Sequence, residues 1–425
     1  MIKKWICALL AMLLLCGCAA PGSGETEEQT QPQAQTTLPE DPEALLQWRR
    51  DTAEAYMRHM MSALWQTDTP ILYSTYVNSL GPEMDEESRR VYLEPGKIYS
   101  GMPYTHGNGN ADRFYGYGEP DENGIYQLKG MDSELLSGGG GAKMYNRARI
   151  GNDCADAVAW AWARIGNSFT FNTTQNMTES RGCLPVGEYK TQDGTYKKTK
   201  DIVQENGNEV MYKAYACLQK ADGVVTYNGS GHAMMISQVH VEQVDGVIDP
   251  EASYVLVLEQ STSNYKNGVT YVDEATGQVV YRLGGVDNKY TFARLFKSAY
   301  LPVTIRELVD PAPVEAPVLI DSVEKPDGSN ITSGSISCMT IISTVTVTIT
   351  DAQGNVVQQA TCFPKSTEQH MFRMENFDDF NEWPVTKGRL DVKSLTPGSY
   401  HCTVDCALGN GDVLTARDFD FTVGG

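Results

Sequence analysis

Residues 151–166 read Gly151-Asn-Asp-Cys154-Ala-Asp-Ala-Val158-Ala-Trp160-Ala-Trp162-Ala-Arg-Ile165-Gly166, and what this stretch becomes decides the rest of the chain. Val158, Ala161, Trp162 and Ile165 recur at helical spacing, and Gly166 supplies a stop. Asp153 or Asn152 can cap the helix, because a short oxygen side chain satisfies an orphan N–H there. Nothing in this pattern demands a cysteine in the first turn. A thiol placed there sits in the positive end of the helix dipole, which favours thiolate. Asp153 and Asp156 oppose that effect, so a reactive Cys154 needs a base. The bland alternative is a small buried cysteine that only packs.

A base is available downstream. Gly231 precedes the run H-A-M-M-I-S-Q-V-H-V, whose alternation puts His232, Met234, Ile236, Gln238 and His240 on one face of a strand. Tyr254 to Gln260, Y-V-L-V-L-E-Q, is apolar until its polar end, as a central buried strand should be. A thiol, a histidine and a polar group that orients the imidazole are the three parts of a cysteine hydrolase. Cys154 at a helix start, His232 at a strand start and Glu259 or Gln260 at a strand end all lie at element termini, where side chains can converge. Alternation puts Glu259 and Gln260 on opposite faces, so only one can meet the imidazole. A carboxylate stabilises imidazolium better than an amide does, which favours Glu259, but both stay candidates.

The 425 residues allow two or three domains. Lys3 and Lys4 precede an apolar run from Trp5 to Leu15, too short to span a bilayer and typical of an export leader. The ending Leu15-Cys-Gly-Cys18 resembles a bacterial lipobox, which implies cleavage before Cys18 and lipid on its thiol. Residues 1–18 are thus expected to be a leader, and 19–41, rich in Gly, Pro, Gln, Thr and Glu, a flexible tether. The net charge of −20 argues against nucleic acid as a partner and against charge-driven binding to anionic surfaces.

Helical spacing predicts a helix from Pro42 to Trp65. Residues 107–150 read as a long polar, Gly-rich insertion that carries Arg113, Phe114, Tyr115, Tyr117 and Tyr126. Thr174 to Glu179 is weakly helical, and Val210 to Leu218 reads as one further short element. Val269–Val272 and Val279–Leu283 form an expected hairpin about Gly277. Pro311, Pro313 and Pro317 mark a linker. Beyond it, Ile336 to Thr350, Ser399 to Asp405 and Val413 to Val423 alternate as strands, and residues 318–425 are expected to fold by themselves as a β-sandwich.

Of ten cysteines, Cys183, Cys217, Cys338, Cys362, Cys402 and Cys406 remain after the leader, the lipid site and Cys154 are set aside. An exported protein permits disulfides among them, with no pairing readable. Cys402 and Cys406 share one side of one strand, so a bridge between those two is sterically poor. No Cys/His grouping has zinc-site spacing, so no metal and no cofactor are expected.

Three motifs together resemble the NlpC-like cysteine peptidase and amidase superfamily: Gly101-Met-Pro-Tyr104, Asn152-Asp-Cys154 and Gly231-His232-Ala-Met-Met-Ile. The resemblance covers residues 95–305. It implies a papain-like domain over 42–310, which with the all-β Ig-like sandwich expected over 318–425 makes an α+β chain. It further implies Cys154 as nucleophile, His232 as general base, Glu259 or Gln260 as third residue, and Tyr104 and Asp153 beside the substrate. The Cys154 N–H would serve an oxyanion hole. The chain departs from the family in following the cysteine with Ala155-Asp156 rather than Ser-Gly, in the length of the Tyr104–Cys154 insertion, and in lacking the usual histidine as third residue. A glutamate there resembles the CHAP amidases. The function implied is amide hydrolysis by a lipid-anchored extracytoplasmic enzyme, with peptidoglycan or peptide as substrate. The alternative is a surface lipoprotein that binds peptide or glycan without turning it over.

Overall fold

The structure, a computed structural model, describes residues 38–72, 92–104, 109–129, 151–166, 183–191, 198–261, 263–364, 369–378 and 386–424. The expected leader with Cys18, nearly all of the tether, residues 130–150 of the polar insertion and the weakly helical Thr174 to Glu179 lie outside the described residues.

The N-terminal helix runs from Pro42 to Ser62, capped by Asp41, whose carboxylate accepts the Ala44 N–H at 2.8 Å. Pro42 sits in the first turn, where its missing N–H costs nothing. Ala53, Met57, Met60 and Met61 bury one face. The helix ends before Trp65, and Leu64–Thr67 is a strand instead. The cause is tertiary: the Trp65 indole donates to Gly101 O at 2.8 Å and stacks on Tyr99. Two arginines fasten this helix to the far end of the domain. Arg49 donates to the carbonyls of Glu307, Asp310 and Ala312, and Arg50 pairs with Asp222 at 3.0 Å.

The helix Cys154–Ala163 buries every residue except Asp156. A helix apolar all round belongs in a core, and its alanines let neighbours approach closely. It packs between the N-terminal helix and the strand Gly231–His240. That strand belongs to a six-stranded antiparallel sheet in the order Gly285–Thr291, Tyr254–Glu259, Gly231–His240, Gly223–Tyr227, Leu301–Ile305, Cys183–Pro185. A Cβ at Gly223 would stand 3.1 Å from the Trp162 ring, a tight approach, and the Trp162 indole donates to Ala221 O at 2.9 Å.

A second, mixed six-stranded sheet joins Thr270–Val272, Val279–Arg282, Ile98–Ser100, Leu64–Thr67, Tyr126–Leu128 and Gly118–Pro120. The expected hairpin is its first pair, in antiparallel register. Part of the expected polar insertion is therefore structured: Ala111–Tyr115 is a helix capped by Asn110, and Arg113, Phe114 and Tyr115 are buried. The expected short element after Val210 is the second half of a longer helix, Thr199–Ala216, kinked at Gly207. Nor does one face of the histidine strand run unbroken to His240. A register shift between Ile236 and Gln238 interrupts the alternation, and Ala233 to Ile236 are all buried because helices also pack against this strand.

The C-terminal residues form sheets of three and five antiparallel strands around a core that includes Ile336, Val345, Val347, Phe372 and Val404. The run Ile336 to Thr350 splits into two strands, Ser335–Cys338 and Ile342–Asp351, which belong to different sheets. These sheets touch the rest of the chain. Arg113 Nε donates to Ser343 O at 2.9 Å, Asn110 Nδ2 to Ser343 Oγ at 2.8 Å, and Ile341 joins the main core. The guanidinium of Arg113 lies between the rings of Trp160 and Phe363.

The described residues thus form a mixed α and β protein with mostly sheet and few helices. Their seven cysteines, Cys154 included, are free thiols, and only Cys217 is exposed. Among the described residues no helix is long and apolar enough to cross a membrane, and no group of three or more acidic, His or Cys side chains could hold a metal.

Candidate active site

Asp153 caps the cysteine helix: its Oδ1 accepts the N–H groups of Ala155 and Asp156, both at 2.9 Å. Cys154 is the first helical residue, so the helix geometry offers its N–H no acceptor within the helix. The Cys154 side chain is nearly buried and close enough to the His232 ring to favour its charged form. Tyr104 reaches the same place through the backbone, in an isolated parallel bridge to Asn152, with its ring half-buried on the main core.

His232 Nε2 lies 2.7 Å from Glu259 Oε2. Glu259 is buried, and Asn288 Nδ2 donates to its Oε1 at 2.7 Å. The Tyr290 hydroxyl lies 3.2 and 3.3 Å from the two carboxylate oxygens. Burial works against charge on the imidazole, but the Cys154 and Glu259 hydrogen bonds override it and push His232 up to about 10. Burial likewise works against charge on Glu259, yet its bonds to His232, Asn288 and Tyr290 hold it below the usual glutamate value. At neutral pH the His232–Glu259 pair is imidazolium and carboxylate, with the Cys154 side chain beside the imidazolium.

Gln260 turns the other way. It is buried, and its Nε2 donates to Met102 O and to Asn152 Oδ1, both at 2.9 Å. The structure therefore brings Cys154, His232 and Glu259 together and sends Gln260 to brace the turn Gly101–Tyr104 against the residues before the cysteine. That turn rests on the end of the N-terminal helix. Met102 N–H donates to Met60 O at 2.8 Å, and a Cβ at Gly101, whose φ is +83°, would come within 2.5 Å of Met61 O.

Sequence reasoning missed Asn288 and Tyr290, which belong to no motif. A signal existed in Gly284-Gly285-Val-Asp-Asn288-Lys-Tyr290, where paired glycines open a strand that carries two polar donors at alternate positions. Tyr300 was missed as well; it is buried and stands edge-on to Tyr290, with ring centroids 6.3 Å apart.

The arrangement has the parts for nucleophilic attack on a carbonyl: a thiol, a histidine that can take and return its proton, and a fixed carboxylate behind the histidine. No family model, no curated protein and no solved structure matches this chain.

Proposed function

We propose that the chain is a cysteine hydrolase acting on amide bonds, with Cys154 as nucleophile, His232 as acid and base, and Glu259 as the group that orients and charges the imidazole. The observation that carries this reading is the 2.7 Å contact between His232 Nε2 and Glu259 Oε2, with Cys154 at the start of the helix beside the same imidazole. In the reaction, His232 holds the proton of the Cys154 thiol while the thiolate attacks the substrate carbonyl carbon. The carbonyl oxygen takes the negative charge, next to the Cys154 N–H. Collapse breaks the C–N bond as His232 gives its proton to the leaving amine, leaving a thioester. Water then adds as His232 takes its proton; the C–S bond breaks, the acid departs and the proton returns to sulfur.

The resemblance of Gly101–Tyr104, Asn152–Cys154 and Gly231–His232 to the NlpC-like superfamily supports a papain-like reading of this domain and peptidoglycan peptides as the substrate class. An Ig-like reading of residues 318–425 rests on its two antiparallel sheets around one core. The Leu15-Cys-Gly-Cys18 ending supports an extracytoplasmic protein held to a membrane through lipid on Cys18.

Two experiments test this. Purified cell wall digested by the full chain, read by mass spectrometry, should release amide-cleaved peptides that Cys154→Ala does not release. Iodoacetamide should alkylate Cys154 ahead of the exposed Cys217; preferential labelling of Cys217, with no cleavage, sinks the proposal. For the anchor, Cys18→Ser should move the protein from the membrane fraction to the soluble one.

A further inference from the structure

The Glu259 carboxylate does not reach His232 by regular strand geometry. Along the pair Tyr254–Glu259 and Gly285–Thr291, Val257 stands opposite Asn288 but Glu259 stands opposite Gly285, so one strand spends an extra residue there. Such a bulge bends a strand and re-aims its side chains, and bulges gather beside functional sites. Asp287 absorbs the bend with φ +54°, a conformation a non-glycine residue rarely takes. Its carboxylate is tied down from two other elements, by Arg58 at 2.9 and 3.0 Å and by Ser237 Oγ at 2.7 Å.

Each neighbouring residue has a use in that bend. Gly285 leaves room for the carboxylate: a Cβ there would stand 2.6 Å from Glu259 Cγ and 2.7 Å from Asn288 Nδ2. Asn288 and Tyr290, two apart and so on one face, both meet Glu259. Arg294 lies 3.7 Å over the Tyr290 ring.

We infer that Asn288 and Tyr290 are positioning residues, which hold the Glu259 carboxylate ionised and aimed at His232 from a bulge that Gly285 makes room for and Asp287 bends. This rests on the reading of Cys154, His232 and Glu259 as one catalytic unit. The groups facing His232 are Cys154 and Glu259; those facing Glu259 are His232, Asn288 and Tyr290, with Tyr300 packed behind. Each donor lost frees the Glu259 carboxylate to turn from His232, and the imidazolium loses the charge aimed at it.

The test is the titration of the His232 ring in the full chain, followed by NMR with labelled histidine. Asn288→Ala and Tyr290→Phe should each lower its midpoint by about half a pH unit or more. Gly285→Ala, which displaces the carboxylate itself, should lower it further. A purely structural role would change the melting temperature and leave this midpoint in place. Glu259→Gln is the reference. If it lowers the midpoint while Asn288→Ala and Tyr290→Phe do not, the positioning role is overturned and the catalytic reading stands. If Glu259→Gln also leaves the midpoint unchanged, both are overturned.

Discussion

The Gln260 amide donates to Asn152 Oδ1 at 2.9 Å, two residues before the candidate nucleophile, while its neighbour Glu259 meets His232 on the opposite side of the strand. One strand end thus performs two separable tasks. Glu259→Gln should cut turnover by orders of magnitude, far more than Gln260→Ala does. Gln260→Ala should leave Asn152 Oδ1 and Met102 O unpaired in the core, a cost of about 1–3 kcal/mol, and lower the melting temperature. Kinetics on the two variants and a thermal melt of Gln260→Ala check this; equal losses of turnover would show that the tasks are not separate.

Removal of Cys154 and removal of His232 should not add. A nucleophile without its base gains little, so Cys154→Ala, His232→Ala and the double variant should lose nearly the same activity. Additive losses in kcat/KM would mean the two side chains act independently.

Stability should depend on pH through the same pair. His232 is raised in the fold, so its contribution is complete below the unfolded value near 6.5 and is lost as pH rises through about 10. Glu259 is lowered, so its contribution is complete above the unfolded glutamate value and is lost as pH falls through its folded one. Urea unfolding should show the protein losing stability between about pH 6 and about pH 11, and His232→Gln should flatten that slope. An equal slope in the variant would assign the loss to other groups.

Residues 318–425 have their own core, yet they also shelter the buried Arg113 and the end of the cysteine helix. The position a Gly409 Cβ would take is 3.0 Å from Ala163 Cβ, and Arg113 donates to Ser343 O. Expressed alone, this fragment should give a β-type circular dichroism spectrum and a cooperative transition, but melt below the full chain. Equal melting temperatures would mean that the junction contributes nothing to stability.

What the sequence by itself determined was local. Capping by Asp153, the all-apolar helix after Cys154 and the alternating run from His232 are short-range patterns, and they placed thiol, base and carboxylate at the ends of elements. Strand alternation also sets Glu259 and Gln260 on opposite faces. Which of them meets the imidazole was decided by tertiary structure, because it depends on which strand lies alongside: the shifted register with Gly285–Thr291 brings Asn288 and Tyr290 to Glu259. Likewise Trp65 reads as the end of a helix until Gly101 and Tyr99, more than thirty residues away, supply the contacts that draw it into a sheet. Arg113 reads as part of a polar, Gly-rich insertion until Trp160, Phe363 and Ser343 meet its guanidinium. Periodicity records what a residue's neighbours in the chain require; a buried cation or a bulge answers to partners that periodicity does not contain.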